Sequence, residues 1–128
     1  LKTNKKLRLN FNRSRRNPWV LKEWVRGELS PEVQFFDTQN RDLEMFDSPG
    51  TQRPYILIAE MKYKISKTHG VTEIKVAFLN DAYIKRAKLK MLDSKGNEIL
   101  TFERPIDIQG AGGDTLLLTW RFDFEREI

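Results

Sequence analysis

The chain has 128 residues, with 23 lysines and arginines against 18 aspartates and glutamates, giving a net charge of +5; this length suits one domain that buries about two thirds of the surface of its extended form. It contains no cysteine, which excludes disulfides, thiolate nucleophiles and cysteine-ligated zinc or iron–sulfur centres. No apolar run approaches the length of a membrane span, and Leu1-Lys2-Thr3-Asn4 lacks the hydrophobic region of a signal peptide, although a chain opening on Leu rather than Met reads as a processed or excised fragment.

The positive excess is concentrated at the N-terminus. Residues 1–18 carry Lys2, Lys5, Lys6, Arg8, Arg13, Arg15 and Arg16 and no acid, whereas the other 110 residues carry sixteen basic and eighteen acidic side chains. Interleaved with Asn4, Asn10, Asn12, Ser14 and Asn17, these cations form a basic arm of a composition that contacts phosphates. A solubilising tail, or an edge strand kept charged against unwanted pairing, has the same composition. Leu7, Leu9 and Phe11 alternate with Lys6, Arg8, Asn10 and Asn12, so part of the arm is expected to be a strand.

Residues 19–128 are expected to form one domain. Pro18 to Val25 reads as a short helix started by proline, with Val20, Leu21 and Trp24 on one side, or as a strand, since Trp and Val favour extended backbone. Trp19 and Trp24 follow the arm directly and are the candidate stacking residues for bases or sugars; core packing is the competing role for Trp24. Residues 33–46 align without a gap on residues 89–102, an offset of 56. Each copy is an apolar strand, an Asp-Thr or Asp-Ser turn, and a second apolar strand. In such a turn Asp accepts nearby backbone N–H groups, while Asn40 or Gly96 supplies a positive φ. The acids Asp37, Asp42, Glu44 and Asp47 fall in or beside the first copy, but hairpin geometry scatters them and their spacing does not match a helix-flanked calcium loop. No metal ligands are assigned.

Period-two alternation then dominates. After Ile58, Ala59, Met61, Tyr63 and Ile65 oppose Glu60, Lys62 and Lys64. His69-Gly70 marks a turn, with His69, the single histidine, read as an exposed turn residue. Ile74, Val76 and Phe78 oppose Glu73 and Lys75; Ala87, Leu89 and Met91 oppose Arg86, Lys88 and Lys90. From Lys62 to Lys90 there are eight basic residues and two acidic ones, Glu73 and Asp81. Lys62, Lys64, Lys75, Arg86, Lys88 and Lys90 are therefore expected on one outward sheet face, a basic strip continuing the arm. Gly110-Ala111-Gly112-Gly113 lacks the lysine of a phosphate loop and reads as a mobile loop or tight hairpin connection. The last strand places Leu116, Leu118, Trp120, Phe122 and Phe124 on one side, enough apolar surface to anchor a core.

The expected fold is all-β, a single antiparallel β-sandwich of seven to nine strands, jelly-roll-like or immunoglobulin-like, with at most one or two short helices. The expected function is a noncatalytic structural or interaction module that contacts nucleic acid or another polyanion through the basic arm and basic sheet face, with self-association in an assembly as one form of it. The alternative is a secreted or surface accessory domain that binds protein or carbohydrate. No catalytic residue and no cofactor is assigned.

Overall fold

Alternating apolar residues give a strand one face that has to be buried against another layer of structure. In the computed structural model, which describes residues 4–16, 23–45, 47–48, 53–66 and 68–124, the chain is all-β. The described strands are β1 (Lys6–Arg16), β2 (Ser30–Phe36), β3 (Asp47–Ser48), β4 (Arg53–Pro54), β5 (Ile56–Ile65), β6 (His69–Phe78), β7 (Ala82–Leu92), β8 (Glu98–Gly110) and β9 (Thr115–Phe124). One short helical turn covers residues 23–25. A four-stranded sheet has the order β1-β9-β6-β5, a three-stranded sheet the order β2-β7-β8, and β3 pairs with β4.

Neighbouring strands run antiparallel with one exception, because β1 lies parallel to β9. A parallel pair needs a long crossover, and here almost the whole chain intervenes between the first strand and the last. β1 extends to Arg16, past the Lys6–Asn12 alternation that predicts it. Its register opposes Leu7, Leu9 and Phe11 to Leu116, Leu118 and Trp120, and these three β1 side chains pack against the core.

One hydrophobic core joins the sheets. It includes Ile74, Val76 and Phe78 of β6, Leu116, Leu118, Trp120 and Phe122 of β9, Ala87, Leu89 and Met91 of β7, Val33 and Phe35 of β2, and Phe102 and Ile106 of β8. The Phe102 and Phe122 rings meet across the interior with centroids 5.1 Å apart. Side chains buried this fully stabilise the fold by roughly 1.5–3 kcal/mol each. Leu43, which no periodicity in the sequence singles out, ties one side of the sandwich together: its N–H donates to the Phe35 carbonyl of β2, and its own carbonyl accepts from Tyr55 and Ile56 at the start of β5.

Two expected details change. Ala59 is exposed, because the β5–β6 register shifts between Ile58 and Glu60. That bulge lets Ile58 and Met61, three residues apart, both pack against the core. The glycine-rich segment is not a hairpin, because it carries the chain from β8 in one sheet to β9 in the other. It is also pinned: buried Asp114 accepts N–H groups from Lys5 and Ala111, both at 2.8 Å, and Asp81 accepts that of Gly112 at 2.9 Å.

The offset repeat becomes two turns of the same design. Asp37 accepts the N–H groups of Gln39 and Arg41 at 2.9 Å, and Asp93 accepts those of Lys95 and Asn97 at 2.9 and 2.8 Å. Asn40 and Gly96 take the positive φ, 61° and 84°, at equivalent places. Among L-residues asparagine tolerates this region best, and glycine has no Cβ to oppose it.

Candidate polyanion interface

The interface begins with the way β1 is fixed. The Lys5 carbonyl accepts the Thr115 N–H at 3.0 Å while the Lys5 N–H donates to Asp114, so the parallel pairing starts at a defined residue. Because Leu7, Leu9 and Phe11 face the core, Lys6 and Arg8 lie on the opposite, exposed face. On that outer face the register lines up Arg8, Leu117, Lys75 and Glu60 in one row. The next row is Asn10, Thr119, Glu73 and Lys62, and beyond it lie Arg121, Val71 and Lys64. Arg8 and Lys75 are two strands apart, as are Arg121 and Lys64, which separates their backbones by about 10 Å.

This face gathers Lys6, Arg8, Lys62, Lys64, Lys75 and Arg121. Sequence reasoning missed Arg121 as a site residue, although its place opposite the apolar row of β9 could have revealed it. Lys62 lies 3.8 Å from both Glu60 and Glu73, distances at which an exposed pair stays heavily screened. At the end of the face, His69 Nε2 is 3.6 Å from Asp123, with the imidazole 63% exposed and Thr68 Oγ1 in contact with Nδ1.

The expected strip is divided by the topology. Lys62, Lys64 and Lys75 belong to β5 and β6 of the four-stranded sheet, whereas Arg86, Lys88 and Lys90 belong to β7 of the three-stranded sheet. Since both sheets pack their inner faces on one core, the two trios point to opposite sides of the sandwich. Alternation determines the outward direction of each strand but carries no information on which sheet receives it.

The second trio has acidic and polar neighbours of its own. Arg86 donates to Glu103 at 3.0 Å and to the Asn40 side chain at 3.3 Å, and its guanidinium lies 4.2 Å from the centre of the Phe36 ring. Lys88 stands in register between Gln34 and Glu103, and Lys90 between Glu32 and Thr101.

Of the remaining candidate residues, Lys5 is exposed at the head of β1. Arg13 lies within the register shift between Phe11 and Ser14, and Arg15 and Arg16 continue the β1 backbone past it. Lys2 and Trp19 lie outside the described residues. Trp24 is not presented for stacking, since it is 2% exposed and its ring packs on Phe122 and Tyr63 at centroid distances of 5.4 and 5.7 Å. Its indole also lies over Gly70, where an added Cβ would come within 2.6 Å of the ring.

The acids of the first repeat are occupied locally. Asp37 also accepts Arg41 Nε at 2.7 Å. Burial pushes its pKa up, but the N–H groups of Arg41 and Gln39 and the Arg41 guanidinium outweigh this and leave it below the usual value of 3.8. Asp42 accepts the Glu44 N–H and the Gln34 side-chain amide. Burial raises the pKa of Glu44, and the nearby Ile58 N–H offsets only part of that rise. Among the described residues no group of three or more His, Asp or Glu side chains is placed to hold a metal ion, and no helix there is long and apolar enough to cross a membrane. No protein-family model matches the chain, nor does any curated protein or solved structure.

Proposed function

We propose that this chain is a noncatalytic β-sandwich interaction module that docks nucleic acid or a comparable polyanion on the outer face of its four-stranded sheet. The observation that carries the reading is the parallel β1–β9 register, which sets Lys6 and Arg8 of the arm beside Lys75, Lys64 and Arg121 on one exposed surface. Contacts of this type are to phosphates rather than base edges, so they favour affinity over sequence discrimination and weaken steeply with salt. The finer architecture we propose is jelly-roll-like or immunoglobulin-like in general form. Its sheets of four and three strands match the immunoglobulin constant type in number, but the first strand neighbours the last, which that order does not have.

The test is a salt-dependent titration of the full chain against single-stranded RNA and double-stranded DNA. Two doubly substituted variants accompany it, Arg8→Glu with Lys75→Glu and Lys88→Glu with Lys90→Glu. The expected result is a salt slope that falls by about 0.7–0.9 for each phosphate that the first variant no longer neutralises, with little change in the second. Equal weakening in both variants, or binding that salt does not weaken, would overturn the assignment to this face.

A further inference from the structure

A cleft lies away from the outer face of the four-stranded sheet, where the Asp37 turn meets the start of β7. Its volume is about 240 Å³, and it is lined by Asp37, Thr38, Arg41, Tyr55, Asp81 and Tyr83, with Leu43 and Ala82 as its apolar wall. We propose that this cleft binds one unit of a neutral saccharide. None of the lining residues belongs to the outer face of the four-stranded sheet.

Three properties of the lining select that ligand class. The first is its balance of charge. Asp37 is held by the Arg41 guanidinium at 2.7 Å, so the cleft combines an ion pair with one further carboxylate, Asp81. A free cation meets the Arg41 guanidinium there, and a free anion meets Asp81. A ligand whose groups both donate and accept hydrogen bonds, as sugar hydroxyls do, suits both.

The second property is unused hydrogen-bonding capacity on a fixed frame. One Asp81 oxygen accepts the Gly112 N–H at 2.9 Å, and the other makes no hydrogen bond among the described residues. The Thr38 hydroxyl is in the same state on an exposed turn residue. The turn that carries it is held by the Asp37 hydrogen bonds to Gln39 and Arg41, and the Tyr83 hydroxyl is tied to Asp107 at 2.7 Å. Groups already immobilised lose little further entropy when a ligand arrives.

The third property is shape. Two tyrosines, Tyr55 and Tyr83, both half-buried, stand in the cleft lining, and aromatic side chains bring large, rigid apolar surface to a contact at low entropic cost. The volume is below the roughly 300–1,000 Å³ of sites that enclose drug-sized ligands. It suits one ring, with any continuing chain left outside.

The experiment is an amide-resolved NMR titration of the full chain with methyl glucoside, methyl galactoside, methyl mannoside and N-acetylglucosamine, each to about 50 mM, past the millimolar Kd of a weak single-site contact. Arginine amide and inorganic phosphate serve as charged probes. At least one sugar is expected to give saturable shifts confined to residues 37–41, 55 and 81–83. Asp81→Asn, which retains an oxygen for the Gly112 N–H, is expected to weaken that binding about tenfold by removing the charge-assisted hydrogen bonds. Arg8→Glu with Lys75→Glu is expected to leave it unchanged, so failure of polyanion binding does not imitate failure of sugar binding. No saturable shift with any of the four sugars would overturn the proposal, and so would tighter occupancy of the same residues by arginine amide or phosphate.

Discussion

At the residue scale, polar atoms in the apolar interior give the sharpest tests. Thr72 and Trp120 stand opposite each other in the β6–β9 register, both buried, and neither Thr72 Oγ1 nor Trp120 Nε1 has a hydrogen-bond partner among the described residues. An unsatisfied buried hydroxyl costs free energy that an apolar group of the same shape does not. Thr72→Val is therefore expected to leave stability unchanged or raise it by up to about 1 kcal/mol, read from urea unfolding. A decrease of similar size would show that the hydroxyl is paired in solution. Gly70 gives the opposite case. Its missing Cβ makes room for the Trp24 indole, so Gly70→Ala is expected to cost about 1–3 kcal/mol through overpacking.

Three carboxylates make the fold sensitive to acid. The pKa of Asp93 is lowered chiefly by the Asn97 N–H and that of Asp107 chiefly by the Tyr83 hydroxyl; Asp37 is lowered on balance as well. A depressed folded-state pKa means that the stabilisation is present above the unfolded value of 3.8 and is lost as pH falls through the lower, folded-state value. Glu44 has the opposite sign, since its raised pKa gives a contribution that is full below 4.5 and lost as pH rises through the folded value. Urea midpoints are expected to fall as pH drops below about 3.8, and Asp37→Asn with Asp93→Asn is expected to flatten that fall. An unchanged slope in the double variant would show that these turns do not control acid unfolding.

At the element scale, β1 alters the meaning of the basic arm. Removing residues 1–18 takes away an edge strand, strips Leu7, Leu9 and Phe11 from the core, and separates the Phe11 ring from Trp120, 5.0 Å away. Three half-buried hydrophobes suggest a cost of at least about 3 kcal/mol. The truncated chain is expected to show a lower urea midpoint even at high salt, where a purely electrostatic arm would make no difference. Charge substitutions on an intact β1 are consequently the cleaner probe of binding.

The same strand shows what can be read from the chain. Alternation identifies the inward residues of β6, β7 and β9, because each of these strands has a neighbour on both sides and a fully buried inner face. It fails at Ala59, where a bulge on edge strand β5 changes the phase of a pattern that a linear reading assumes constant. The turn chemistry is equally legible, since Asp37 and Asp93 act within four residues of themselves. Sheet membership is not legible, because it depends on pairings such as Arg8 with Leu117 that span almost the whole chain. For that reason the sequence marks the sheet cations as outward without revealing their division between two faces.

At the scale of the whole molecule, the four edges of the two larger sheets, as formed by the described residues, bear on how copies of the chain can meet. An exposed edge presents unpaired N–H and C=O groups to any other strand, yet each edge here is interrupted. β1 has a register shift after Phe11, and β2 carries Pro31. β5 is bulged at Ala59, where its register with β6 shifts between Ile58 and Glu60. β8 carries Pro105 and then Asp107, whose φ of 50° breaks the extended backbone opposite Lys85. A proline removes one edge donor and a bulge twists the strand away from a partner. Assembly of copies through continuous sheets is therefore disfavoured, and any self-association has to use the sheet faces or loops. Sedimentation of the parent chain is expected to show no strand-mediated dimer as concentration rises, whereas Pro31→Thr with Pro105→Thr, which restores a backbone N–H on each of two edge strands, is expected to increase association. Edge amides of the parent chain that gain hydrogen-exchange protection with concentration would overturn this account. Unchanged association in the double variant would assign the protection to the irregularities at Ala59 and Asp107, which substitution of the prolines leaves in place.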